Sequence, residues 1–396
     1  MFDPSSDCLD PFYDDHQSNW FALPLFTKGF EMKHLVGSLP TFDRFCHGRD
    51  NNFNLLRLIA AFAVAVSHSS LLTYGTGVPQ PLLELTGYTL GHHAVNIFFM
   101  ISGFLIYQSY LSSEHLRSFV MARLLRIFPA LIVAGLLVVI IGGLLFSSAS
   151  PSDYWTYSDT WIYLVGTSSA FFSSLRLPGL FEQLIVSGEV NGSLWTLKWE
   201  LMAYMAVPIL GLIGGYKIQG RFALVLVGFV IVNLAISLQT DWRKDLMMLD
   251  DALRLGLCFL LGMGVYHYRQ KIPVSLGSAF LLWVLVWLVR ESGFYEISLM
   301  VAMAYTVFWF AFIPAGWLRC YNRLGDYSYG IYIFHFPVMQ MVMQIYAPSS
   351  ANETLMLAFL VFLPLSILSF HLIEKPALRL RRRWSRIPLK PLEAGI

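Results

Sequence analysis

The chain has 396 residues, of which 56% are hydrophobic, 15% aromatic and only 13% charged. Soluble domains carry roughly 25% charged residues, so a soluble globular fold is excluded, and the recurring long apolar runs point to an all-α, polytopic membrane protein. The net charge of +2 gives no case from bulk charge for binding nucleic acid.

Residues 1–50 form a polar N-terminal arm. Its opening, "MFDPSSDCLDPFYDDHQSNW", is acidic and lacks the basic and apolar regions of a secretory signal. A disordered cytoplasmic arm and a misassigned start, with Met32 as the true first residue, both fit it. The cysteines Cys8, Cys46, Cys258 and Cys320 show neither C-x-x-C nor Cys/His ligand spacing, so no disulfide framework and no metal site is expected.

Apolar runs near the roughly 20 residues that a span needs fall at about 52–73, 91–112, 129–148, 195–215, 221–240, 249–268, 273–290, 295–317, 327–348 and 354–374. That predicts about ten transmembrane helices. The stretch 149–194 is aromatic but broken by Ser, Pro and Gly, and reads as a long interfacial or re-entrant loop. With the N-terminus inside, the inner loops hold Arg117, Arg123, Arg126, Lys217, Arg269, Lys271, Arg319 and Arg323, and the segment 375–396 adds seven basic residues. The outer loops hold only Arg176, Arg243 and Lys244, with Arg290 at a helix end. The positive-inside rule then puts both termini in the cytoplasm. The domain plan is a membrane domain over 51–376 and a basic cytoplasmic tail over 377–396.

Ionisable residues inside a bilayer usually face a cavity or a partner. The first span, "NLLRLIAAFAVAVSHSS", carries Arg57 and His68 eleven residues apart. That is just over three turns, so both point the same way, roughly 16 Å apart along the axis. Asn54 joins that face, and the small Ala61 and Ala65 lie between. A polar stripe lining a cavity is one reading; the other is an arginine that snorkels to the interface and a histidine bonded to a neighbouring helix. In the fourth span Glu200 lies near the outer end, and Lys198, two residues earlier, points away from it. Glu200 therefore needs a distant arginine, water or a ligand. Arg123 and Arg126, one turn apart, could grip a phosphate-rich ligand or serve as ordinary inner anchors. Arg254, His335, His371 and Glu374 complete the set. His335 reads equally as a cavity group or a packed core histidine, whereas His92 and His93 read as interfacial.

Five stretches in order, closed by a sixth, resemble the acyltransferase 3 family of integral-membrane O-acyltransferases. "NNFNLLRLIAAFAVAVSHSS" carries its Arg-x10-His pattern, and "AVNIFFMISGFLI" its Phe-Phe-x-x-Ser-Gly-Phe signature, with Asn96 where an acid is common. "RLLRIFPAL", "GSLWTLKWELMAY" and "LGDYSYGIYIFHFPV" follow, and "HLIEKPALR" closes the domain. The resemblance covers residues 51 to 380. It implies transfer of an acyl group, acetyl above all, from acyl-CoA to a hydroxyl of a bacterial exopolysaccharide, lipopolysaccharide or lipid-linked oligosaccharide. It also implies acetyl-CoA as donor substrate with no tightly bound cofactor, and the bacterial inner membrane as location. An acidic role at position 96 does not carry over.

Such chemistry needs a base, a grip on the donor and oxyanion stabilisation. His68 is the candidate base, since imidazole accepts a proton near neutral pH, and Glu200 could orient it or hold the acceptor. Arg57, Arg123 and Arg126 are candidate donor-binding residues. Asn54, Asn96, Ser102, Trp195, Tyr329 and His335 are candidate cavity-lining residues. His68 lies near the outer end of its helix and the donor nucleotide stays inside, so the slim pantetheine arm would have to thread the cavity. A covalent acyl-enzyme passed outward is the competing route. A secondary transporter or a subunit of a polysaccharide export machine also fits ten spans with buried charges, although no internal repeat is visible.

Overall fold

The computed structural model describes residues 39–384 except 49, 79, 173–175, 217–218 and 239–246. Most of the N-terminal arm, Lys217, Arg243, Lys244 and the end of the tail therefore lie outside the described residues. The described chain is all-helical, with one isolated bridge between Thr41 and Pro273. The principal helices are α1 (Phe53–Tyr74), α2 (Leu90–Leu111), α3 (Leu116–Leu145), α4 (Ser158–Ser169), α5 (Leu197–Leu212) and α6 (Gln219–Leu238). They continue with α7 (Met247–His267), α8 (Leu276–Leu288), α9 (Tyr295–Phe312), α10 (Ser328–Tyr346), α11 (Ala351–Ser369) and α12 (Lys375–Trp384). A π-helical turn, Phe370–Glu374, joins the last two.

Each of the ten apolar stretches overlaps one of these helices. Among the described residues, six helices are long and apolar enough to cross a bilayer: Phe53–Tyr74, Leu90–Leu111, Leu116–Leu145, Gly220–Leu238, Tyr295–Phe312 and Ala351–Leu380. The chain is thus built as a multi-pass membrane protein.

Two sequence expectations are corrected. The third helix starts at Leu116 and not at 129, because Pro129 sits inside it. A proline removes one hydrogen bond, to the carbonyl four residues back, and a helix of 30 residues survives that loss. At 1.5 Å per residue it is longer than a hydrocarbon core of roughly 30 Å. Its first turns, with Arg117, Arg123 and Arg126, are therefore helical and can project beyond the core. The stretch 149–194, expected as an interfacial or re-entrant loop, is partly helical. It holds the short helix Pro151–Thr156 and α4, and its side chains Tyr154, Tyr163, Leu180 and Phe181 form a second core against Val138 and Val139 of α3. The Tyr154 hydroxyl donates to the Val139 carbonyl at 2.9 Å.

The main core lies between α1, α2, α7, α9 and α10. Phe53 packs on Phe104 at 5.5 Å between centroids, and Ser67 meets Gly91, so α1 and α2 run antiparallel. Arg57 pairs with Asp326 just before α10, and His68 with His335 within it, so α1 and α10 run parallel. The closest approach is between α2 and α7. A Cβ on Gly103 would lie 1.9 Å from the Phe259 carbonyl oxygen, and one on Gly262 would lie 2.0 Å from that of Met100. Small residues at such crossings let membrane helices touch backbone to backbone.

No rotamer change relieves a clash with a carbonyl, and overpacking costs about 1–3 kcal/mol. Gly103→Ala and Gly262→Ala are expected to lower the thermal midpoint in detergent, read by fluorescence-detected size exclusion. Gly228→Ala, with nothing within 4 Å of its added Cβ, is the control. Equal midpoints for all three would contradict the close crossing.

Candidate active site

A cavity of about 610 Å³ opens among α1, α2, α3, α5 and α10. One end is charged. Asp326 accepts from Arg126 at 2.6 Å and from Arg57 at 3.2 Å, both on the same carboxylate oxygen. Arg126 also reaches Glu374, 1% exposed, at 3.2 Å. Two guanidiniums and two carboxylates from four segments thus neutralise one another, which is what burial of ions demands. Burial alone would raise the Asp326 carboxyl, yet Arg126, Arg57 and the hydrogen bonds from Ser328 hold it below its ordinary value. Arg123 donates to the Ser109 hydroxyl at 2.7 Å, and its guanidinium lies 5.3 Å from the Phe119 ring centroid.

Glu200 lines the same cavity from the first turn of α5, level with Ser102 midway along α2. The reason lies in the connection before α5. Pro337 has no N–H, so the Ile333 carbonyl of α10 lacks its usual helical donor, and Asn191 fills the gap at 2.9 Å. Ser193 donates to the Tyr332 carbonyl at 3.0 Å. Gln340 holds the carbonyls of Val186 and Glu189 at 3.0 and 2.9 Å. Residues 186–196 therefore form a strap down the side of α10, and α5 begins deep in the bundle. Glu200 accepts from Ser102 of α2 at 3.4 Å and from the Tyr204 hydroxyl. Its partners are these hydroxyls, so it is not the group that orients His68.

That group is His335. His68 Nδ1 lies 2.8 Å from His335 Nε2, with the two rings near parallel at 6°. His335, completely buried, places its own Nδ1 2.9 Å from the Ile331 carbonyl oxygen. A carbonyl only accepts, so His335 Nδ1 carries the hydrogen and its Nε2 is an acceptor in the neutral ring. His68 Nδ1 must then donate, which leaves a lone pair on His68 Nε2. Phe336 packs its ring at 84° against His68 with centroids 5.2 Å apart.

The structure sorts the remaining sequence candidates. Arg57, Arg123, Arg126, Asn54, Ser102, Glu200 and Tyr329 line the cavity; His68, His335, Asn96 and Trp195 do not. Tyr329 donates to the Ile127 carbonyl at 2.9 Å and carries Arg126 over its ring. Asn96 instead accepts from the buried Arg254, which also pairs with Asp251 at 2.8 Å. Trp195 packs half-buried against the main core. Lys198 lies over the Trp199 ring. His93 bonds the Thr86 hydroxyl at 2.8 Å and His92 stacks on Tyr88, both far along α2 from Ser102. Sequence reasoning passes over Tyr204, Thr196 and Tyr332, and reaches Asp326 only as part of the polar "DYSYG" turn before His335. The signal for Asp326 was its position in "LGDYSYG", an acid at the mouth of an apolar run in a chain with unmatched arginines.

A family model described as an acyltransferase domain matches residues 50–373. The chain is 30% identical over 345 residues to an O-acetyl transferase of Shigella phage Sf6, covering 83% of this chain and 96% of that one. It is 28% identical over 362 residues to nodulation protein 10 of Rhizobium leguminosarum bv. viciae, with 84% and 95% covered. It is 24% identical over 331 residues to acyltransferase MdmB of Streptomyces mycarofaciens, with 72% and 78% covered. No solved structure matches.

Removing one partner of a buried ion cluster costs about 3–5 kcal/mol, so Asp326→Asn is expected to lower the thermal midpoint sharply at neutral pH. A depressed carboxyl contributes stability that is complete above its ordinary value, 3.8, and is lost as pH falls through the lower folded value. The wild type should therefore show an acid limb in a midpoint-against-pH series that Asp326→Asn lacks. Identical curves would contradict the cluster.

Proposed function

The chain belongs to the acyltransferase family, and we propose that it moves an acetyl group from acetyl-CoA to a hydroxyl of a bacterial envelope glycan or lipid-linked glycan. The observation that carries this reading is the hydrogen-bonded pair His68–His335, which presents a bare ring nitrogen beyond the end of an arginine-lined cavity. Ten spans with both termini in the cytoplasm and an inner-membrane location complete the proposal. The parallel run of α1 and α10, first and ninth in that count, supports it, as does the basic bias of alternate loops.

In this orientation the charged end of the cavity faces the cytoplasm, where the donor is made. Arg123 and Arg126 contact its phosphates, with Arg57 next along the path. The pantetheine arm lies along the apolar wall of Val95, Phe98 and Leu197. The acceptor arrives from the opposite face. His68 Nε2 takes the proton of its hydroxyl as the oxygen attacks the thioester carbonyl carbon. The tetrahedral intermediate then expels the coenzyme thiolate, which takes that proton back from His68. His335 stays neutral, fixes the His68 tautomer and accepts the Nδ1 hydrogen bond that strengthens when the ring is charged.

Membrane vesicles of the host, supplied with radiolabelled acetyl-CoA, test this by label in the glycan fraction. A positioned general base contributes about 10²–10⁴-fold, so His68→Ala is expected to lose that factor in kcat at little change in the acetyl-CoA KM. His335→Ala should lose less, because a histidine with a free tautomer keeps part of its activity. Full labelling by His68→Ala at normal expression would overturn the assignment.

A further inference from the structure

The donor cavity ends short of the histidine pair. The α1–α2 register, with Phe53 at Phe104 and Ser67 at Gly91, sets Val95 level with about residue 62 of α1. His68 lies about six residues further, roughly 9 Å along the axis. Thr196 and Tyr332 line the deep end of the cavity, among the apolar Val95, Phe98 and Leu197. The Tyr332 hydroxyl donates to the Ser193 carbonyl at 2.6 Å, and the Thr196 hydroxyl lies 2.6 Å from it. Because Tyr332 has spent its hydrogen on Ser193, Thr196 is the donor of the second bond. On its other side the Tyr332 ring is 6.2 Å from that of His335, which bonds His68. One phenol therefore separates the end of the cavity from the base, and it belongs to the same helix as the histidine that orients the base.

Acyl transfer places negative charge on the thioester carbonyl oxygen, and that charge needs fixed hydrogen-bond donors within a dry site. The arginines stand at the opposite end of the cavity and Glu200 is an acid, so neither can serve there. Building on the acyl-transfer reading above, we infer that the Tyr332 hydroxyl is the oxyanion donor, polarised by the hydrogen bond it receives from Thr196. As the acceptor oxygen bonds to the carbonyl carbon, its proton goes to His68 Nε2 and the carbonyl π pair moves onto oxygen. Tyr332 turns its O–H from the Ser193 carbonyl to that oxygen and back again when the thiolate leaves. The strap is the reason the phenol is poised. Asn191 on the Ile333 carbonyl holds Ser193 and Thr196 against Tyr332, and Pro337 is what leaves that carbonyl open.

The test uses the full chain in host membrane vesicles with radiolabelled acetyl-CoA. Tyr332→Phe keeps the ring and removes only the hydroxyl. Loss of one oxyanion donor costs about 10²–10³ in kcat, and that fall is expected with an acetyl-CoA KM within threefold of wild type. Thr196→Val, of matching shape, is expected to lose about tenfold, since polarisation of one bond is worth less than the bond itself. Replacing Tyr332 by difluorotyrosine strengthens the donor without altering its shape and should hold or raise kcat. A purely structural tyrosine would not follow phenol acidity. Tyr332→Phe with kcat within threefold of wild type overturns the inference, as does a loss confined to KM. If the wild type itself transfers no label, the acyl-transfer reading fails instead, so the two failures are separable.

Discussion

The site depends on the register between α1 and α10. Two contacts fix it: the ion pair of Arg57 with Asp326 at one end and the hydrogen bond of His68 with His335 at the other. Each pair alone would tolerate a slip or a tilt. Together, eleven residues apart on one helix and nine on the other, they hold two parallel helices at a single depth and rotation. The parallel arrangement explains why chemistry that begins at an arginine can end at a histidine on the same face. Arg126 is placed relative to that pair through Asp326, and the strap through the carbonyls between Asp326 and His335.

Charge is handled differently at the two ends. At the cavity mouth Arg57 and Arg126 are compensated by Asp326 and Glu374, two guanidiniums against two carboxylates. A polyanionic donor would compete with those carboxylates for the same guanidiniums, which makes the cluster adjustable. At the histidine end no carboxylate among the described residues is bonded to the pair, and a backbone carbonyl terminates the chain of hydrogen bonds. Neutral groups are cheaper to keep in a low-dielectric interior than ions, and the arrangement still fixes which nitrogen is free.

Much of this was legible in the sequence, and the limits have physical causes. Helix existence was legible because apolar runs of span length leave few alternatives in a bilayer. The start of α3 was not, because a proline reads as a boundary when it stands next to an apolar run, although one lost hydrogen bond does not end a long helix. Arg57 and His68 declared a common face through spacing alone. Their partners, Asp326 and His335, are more than 260 residues away, and no local pattern carries that pairing. The depth of Glu200 is not legible, because no local pattern shows where α5 begins within the bundle. Only the docking of Asn191 onto a carbonyl freed by Pro337 reveals that it begins within the bundle. Tyr332 escaped notice because a tyrosine in an aromatic-rich helix reads as packing until its hydroxyl is seen at the end of a cavity.

His335 fixes His68 with Nδ1 protonated and Nε2 bare. Nitrogen-15 NMR of the histidine-labelled protein in a bilayer, with His68 assigned by difference from His68→Ala, reads this tautomer directly. A protonated Nδ1 and an unprotonated Nε2 at neutral pH is the predicted result. A His68 ring protonated at Nε2, with or without a second proton, would contradict it.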